Sequence, residues 1–169
     1  MPTYVCSFPP ESLSDSQKDR IAHAISRRHA EATGAPRFFV QVVIDQTPDR
    51  TRFLGGHASD AHVWIRADIR AGRSKEVRQQ LMLNIMKDVA EISGVKEQDV
   101  WVYINNLEPT DMVEFGHILP APGEEQKWFE SLPAVSQTWG DTMRVVCVTS
   151  SAIFRLRPLR RGLCRLDTC

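Results

Sequence analysis

The sequence predicts an α+β fold: two fused β-α-β repeats forming one four-stranded sheet, with both helices on one face. Three observations predict it. Residues 14–34 (SDSQKDRIAHAISRRHAEATG) align without a gap on residues 74–94 (SKEVRQQLMLNIMKDVAEISG) at an offset of 60. The match runs forward, so that residues 39–44 (FVQVVI) fall on 99–104 (DVWVYI). The pattern also changes along each half, from short β-rich runs to apolar residues at helical spacing and back.

The elements follow in order. TYVCSF at 3–8 is rich in β-branched and aromatic residues and reads as the first strand. Extended backward, the alignment sets PTYVCSF on HVWIRAD at 62–68, so Pro2 and His62 are expected to be equivalent strand starts. Ile21 and Ile25 mark the inner stripe of the first helix, and Leu81, Ile85 and Val89 that of the second. Ser14 and Ser74 are expected N-caps, followed by acidic first turns at Asp15 and Glu76. Gly34 and Gly94 are expected to end the helices. Each closing strand, FFVQVVI or VWVYI, follows a crossover helix and is therefore expected to run parallel to its opening strand.

The repeats span about 2–45 and 62–106. Pro109, Pro120 and Pro122 then break the chain into a turn, an extended piece around 112–115 and a short helix near 124–132. Residues 2–132 make one domain on this reading. From 133 to 169 the composition shifts to a basic tail with six arginines from Arg144 on, read as an appended, disordered segment. Of the cysteines, Cys6 falls in the first strand as a small core residue, and Cys147, Cys164 and Cys169 lie in the tail. They show neither metal-ligand spacing nor a compact disulfide framework.

Two helices can cover only one face of the sheet. The other keeps apolar side chains, drawn from Val40, Val42, Val100 and Val102 or their alternates, so an oligomer is expected. A net charge of zero argues against nucleic acid or an anionic membrane as partner. No apolar run approaches the roughly 20 residues of a membrane span, and the N-terminus lacks a secretory pattern. A cytoplasmic location is expected.

The chemistry-bearing residues are few. Pro2 follows Met1; once Met1 is clipped, its nitrogen is a secondary amine instead of an amide. An α-amine titrates near pH 8, lower when desolvated, and so exchanges protons near neutrality. ADIRAGRS puts Arg70 and Arg73 just before the second helix, where cations are unfavourable unless an anion binds between them. VWVYINN carries Tyr103, and MVEFG carries Glu114. His29 lies near the end of the first helix. Singly, each has an ordinary role: a helix-end cation, solvated charges, a strand aromatic, a loop carboxylate pairing with an arginine.

Together on this frame they resemble the tautomerase superfamily, and within it the cis-3-chloroacrylic acid dehalogenase group. The resemblance covers about 2–132, including the closing PGEEQKWFESLP. It implies a tautomerase/MIF-like fold, a homotrimer, and a cofactor-independent, metal-free enzyme with Pro2 as catalytic proline. It also implies catalytic roles for His29, Tyr103 and Glu114, and a carboxylate clamp of Arg70 and Arg73. The activity it implies is addition of water to a short unsaturated carboxylate, a cis-3-haloacrylate or an acetylenic acid. Keto–enol tautomerisation of 2-hydroxy-dienoate or phenylenolpyruvate-type acids is the alternative. A non-catalytic interaction protein on the same scaffold is the second.

Overall fold

The computed structural model describes residues 2–48, 50–121 and 123–133. The tail expectations, Cys147, Cys164 and Cys169 included, lie outside them. The elements are β1 (Thr3–Phe8), α1 (Asp15–Thr33), β2 (Gln41–Gln46), β3 (Phe53–Leu54), β4 (His57–Ala58), β5 (Val63–Arg70), α2 (Lys75–Ser93), β6 (Val100–Leu107), β7 (Val113–Glu114), β8 (His117–Ile118) and α3 (Glu125–Ser131). The main sheet has the order β2-β1-β5-β6. Within each repeat the strands are parallel, and the two central strands, β1 and β5, are antiparallel.

The expected caps form. Ser14 Oγ accepts the Gln17 N–H at 3.3 Å, while Gln17 Oε1 accepts the Ser14 N–H at 3.0 Å, which satisfies two orphan donors of α1. Ser74 Oγ accepts the Val77 N–H at 3.3 Å. Both helices end on left-handed residues, Gly34 and Gly94, whose N–H groups bond Ala30 and Ala90 carbonyls at 2.9 Å.

Alternation along the central strands decides what is buried. Tyr4, Cys6 and Phe8 of β1 and Val63, Ile65, Ala67 and Ile69 of β5 point to the helices. There they pack with Ile21 and Ile25 of α1 and Leu81, Ile85 and Val89 of α2. Cys6 is a buried free thiol whose pKa burial pushes up to about 12, so it stays protonated at neutral pH. Val40, Val42 and Val102 pack on this core and Val100 is buried, so the open face belongs to their alternates: Val43, Trp64 and Tyr103.

Strand pairing corrects the repeat alignment at one point. Tyr4 pairs with Val42 and Ile65 pairs with Val102. Val42 and Val102 are counterparts at the 60-residue offset, so Tyr4 matches Ile65, at 61. The structural counterpart of Pro2 is therefore Val63, not His62. A gapless match would set buried Tyr4 on Trp64, which faces the other side; a one-residue slip exchanges sheet faces. Counted from the equivalent residues Phe8 and Ile69 to the caps Ser14 and Ser74, the second path is one residue shorter, which restores the offset at the helices.

The repeat also runs further than 106. The hairpins β3–β4 and β7–β8 lie 60 residues apart. Each turns on two residues of positive φ, Gly55 and Gly56 (59° and 84°) or Phe115 and Gly116 (53° and 79°). That is the requirement of a tight type I′ connection. Each is closed by equivalent backbone bonds of 3.0 Å, Ser59 N–H to Arg52 O and Leu119 N–H to Met112 O.

Candidate active site

The antiparallel pairing of β1 and β5 creates the site. Thr3 lies opposite Asp68, so Pro2, one residue before β1, sits beside the end of β5 at Ile69 and Arg70. The C-terminal turns of α1 reach the same edge and bring His29. After β5 the chain turns at Gly72, whose φ of 103° suits glycine, and delivers Arg73 just ahead of the Ser74 cap. The β7–β8 hairpin swings Glu114 back over this end.

Pro2, His29, Arg70, Arg73 and Glu114 all line one pocket. It holds about 590 Å³ of empty space, its open mouth included. Arg70 is oriented by donating Nη1–H to the Pro120 carbonyl at 2.9 Å. The Arg73 backbone is held by the Arg78 guanidinium, which donates to its carbonyl oxygen. Two guanidinium-bearing residues lining one pocket suit an anion; a carboxylate accepts paired N–H donors from guanidinium geometry.

His29 is buried, 4% exposed. Burial, and then the nearby Arg73 guanidinium, hold its pKa at about 4, so it is neutral at pH 7. Its Nδ1 lies 2.8 Å from the Tyr4 hydroxyl. Burial pushes Tyr4 well above the usual phenol range, so the hydroxyl keeps its proton and shares a hydrogen bond with Nδ1. His29 is thus a neutral imidazole, in an edge-on contact with Tyr4 at 5.8 Å between ring centroids.

Tyr103 is not in this pocket. Its ring stands on the open sheet face, 53% exposed, with an edge contact to Trp64 at 6.2 Å. Two contributors were not foreseen from the sequence. Tyr4 orients His29; its signal was a hydroxyl on the inward-facing phase of a strand, which must find a partner. Trp128 of α3 lines the pocket and donates its indole N–H to the Ile118 carbonyl at 2.9 Å. Its signal was a tryptophan in a short helix that follows the repeats.

Among the described residues, no group of three or more His, Cys, Asp or Glu side chains is placed to hold a metal ion. No helix among them is long and apolar enough to cross a membrane.

Comparison with known proteins agrees with this fold. The Tautomerase_3 family model, described as "Putative oxalocrotonate tautomerase enzyme", matches residues 1–131. Among solved structures, the chain is similar to N1, a member of the cis-3-chloroacrylic acid dehalogenase (cis-CaaD) family, at 31% identity and a TM-score of 0.76, over 84% of this chain and 98% of that one. It is similar to native RhCC from Rhodococcus jostii RHA1 at 25% identity and a TM-score of 0.64, over 78% and 97%. A wild-type fused 4-OT described as an asymmetric trimer matches at 26% identity and 0.64, over 69% and 94%. No curated protein sequence matches.

Proposed function

The chain belongs to the tautomerase family, and from that premise we propose that it is a cofactor-independent enzyme that uses the amine of Pro2, exposed by loss of Met1, to add water to a short unsaturated carboxylate. The observation that carries this reading is one pocket lined by Pro2, Arg70, Arg73 and Glu114. It combines an anion clamp, a proton donor and a base.

The roles follow from charge. Arg70 and Arg73 grip the carboxylate and draw electron density toward it, which makes C-3 electrophilic. Glu114 takes a proton from water as the oxygen attacks C-3. Pro2, as a secondary ammonium, delivers a proton to C-2. With a 3-halo acid the product is a halohydrin, which expels hydrogen halide and leaves an aldehyde acid. His29, neutral, donates a hydrogen bond to the water or the carboxylate. Tyr103 joins the chemistry only if a neighbouring copy brings it across an interface. The open sheet face, and the trimeric description of a fused 4-OT relative, support a homotrimer for this chain.

Tautomerisation is the second reading, favoured by the family description. Pro2 as a base and the arginine pair suffice for it, without a water-activating group.

Glu114→Gln separates the two. Glutamine preserves shape but cannot accept the proton of water. The variant should lose hydration of a cis-3-haloacrylate, followed by acid release, by at least about 100-fold. It should keep much of any ketonisation of phenylenolpyruvate, followed by absorbance. Equal loss of both would remove the water-activating role.

A further inference from the structure

Arg70 donates Nη1–H to the Pro120 carbonyl at 2.9 Å, a bond between residues 50 positions apart. A guanidinium on a flexible stem loses rotamer freedom when it grips a ligand; a bond made beforehand removes part of that loss. The Pro120 carbonyl can give this help only if it is itself held in place.

Contacts on both sides hold it. Just before it, the Leu119 N–H bonds the Met112 carbonyl at 3.0 Å, and the Ile118 carbonyl accepts the Trp128 indole N–H at 2.9 Å. Just after it the chain turns, with the Glu124 N–H on the Ala121 carbonyl at 3.1 Å, and enters α3. A helix of seven residues does not sustain itself in water, so burial must keep α3 in place. Phe129 is 6% exposed and Leu132 is 4% exposed. Phe129 meets Phe39 edge-on at 6.2 Å, and Phe39 ends the short turn Arg37–Phe39 that leads into β2. Neither Phe129 nor Leu132 is part of the core that the strands and long helices form. The anchorage has no counterpart in the first repeat. By strand register Pro9 stands where Arg70 stands, and residues 60 positions before α3 fall almost wholly in β5.

We propose that Phe129 is a positioning residue for the carboxylate clamp: by seating α3 on Phe39 it holds the strap at 118–121, whose Pro120 carbonyl sets the Arg70 guanidinium. This rests on the reading of Arg70 and Arg73 as that clamp. Phe129 does not itself line the pocket, so it acts on a ligand only through other groups. A guanidinium set before the ligand arrives binds more tightly and holds the reacting carbons in a narrower range of positions.

A double-mutant cycle separates this role from a merely structural one. Propionate is titrated into the full chain and followed by amide NMR shifts, which report weak affinities. Phe129→Ala should weaken propionate at least about 5-fold when Arg70 is present. In the Arg70→Ala background the same substitution should change affinity by less than about 2-fold, because the group it positions is gone. Phe129→Leu, which keeps a large apolar anchor, should restore most of the affinity. Phe129→Val, a milder truncation, carries the same cycle if the alanine variant misfolds. An equal loss with and without Arg70, or wild-type affinity in both Phe129→Ala and Phe129→Val, would overturn the positioning role. Wild-type affinity in Arg70→Ala would instead overturn the clamp on which it rests.

Discussion

The sheet has two ends related by the internal repeat, and they differ in what their polar groups face. At one end β1 begins beside the close of β5, and Pro2, Arg70, Arg73 and Glu114 line an open pocket. At the other end β5 begins beside the close of β1. There Val63, wholly buried, stands where Pro2 stands, Val89 replaces His29 and Leu54 replaces Glu114. An arginine is present at that end too. Arg52 is only 8% exposed, and its guanidinium donates to the His62 carbonyl and, at 3.4 Å, to Ser7 Oγ. One end leaves charged groups around a space that a ligand can enter. The other uses its cation to satisfy its own backbone. A duplicated backbone therefore does not duplicate a site; a site also needs polar groups facing a space that the chain does not fill.

The sharpest test exchanges nothing but the strand starts. Pro2→Ala should cut turnover by orders of magnitude with the fold intact, since alanine supplies a primary amine of different basicity and geometry. Val63→Ala should leave turnover near wild type and lower stability by about 2 kcal/mol through the cavity it opens. Steady-state kinetics and urea denaturation of both variants decide. A Pro2→Ala variant of full activity would erase the functional difference between the two ends.

A smaller effect comes from the helix ends. His29 has its pKa lowered from 6.5 to about 4 in the folded protein. Between those values the unfolded chain binds a proton that the folded one does not. Stability therefore falls as pH drops from about 6.5 toward 4, by up to about 1.4 kcal/mol per pH unit from this group. His29→Val, which copies Val89 of the other repeat, should flatten that slope. Urea midpoints across pH 4–7 measure it; an unchanged slope would mean that His29 is not held neutral.

The smallest effect concerns the axis between the repeats. Arg28 of α1 and Asp88 of α2 are counterparts at the 60-residue offset, and they meet. Arg28 Nε and Nη2 donate to the two carboxylate oxygens of Asp88 at 2.8 Å, and Arg27 adds a bond of 3.0 Å. Two identical chains would place like charge on like charge at such an axis; fusion allows opposite charges. The guanidiniums hold the Asp88 carboxyl below the usual carboxylate range. Asp88→Asn should cost about 1 kcal/mol, and Asp88→Arg more, by urea denaturation. Equal stability of both variants and the wild type would show the pair to be neutral.

Much of this was legible in the chain itself. Helix periodicity, the Ser14 and Ser74 caps and the Gly34 and Gly94 stops are local, governed by a few neighbouring residues, so they can be read in order along the sequence. The repeat carried the topology, because parallel pairing follows from a crossover helix. The one-residue change of offset between β1 and β5 escaped, because only ladder register shows which face a strand residue takes. The β3–β4 hairpin escaped as well, and of the β7–β8 hairpin only the extended piece around 112–115 was read, since two-residue strands leave almost no periodic signal. The candidate site divides in the same way. Residue types, together with the family resemblance, singled out Pro2, His29, Arg70, Arg73, Tyr103 and Glu114. That all but Tyr103 share a pocket depends on β1 meeting β5 antiparallel, a contact between residues about 60 apart in sequence. That Tyr103 stands apart depends on the alternation of β6, which aims it away from the helices. Long-range packing likewise decided that Tyr4 pairs with His29 and that Trp128 walls the pocket. Local sequence carries propensities; it does not carry which distant side chains will share a space.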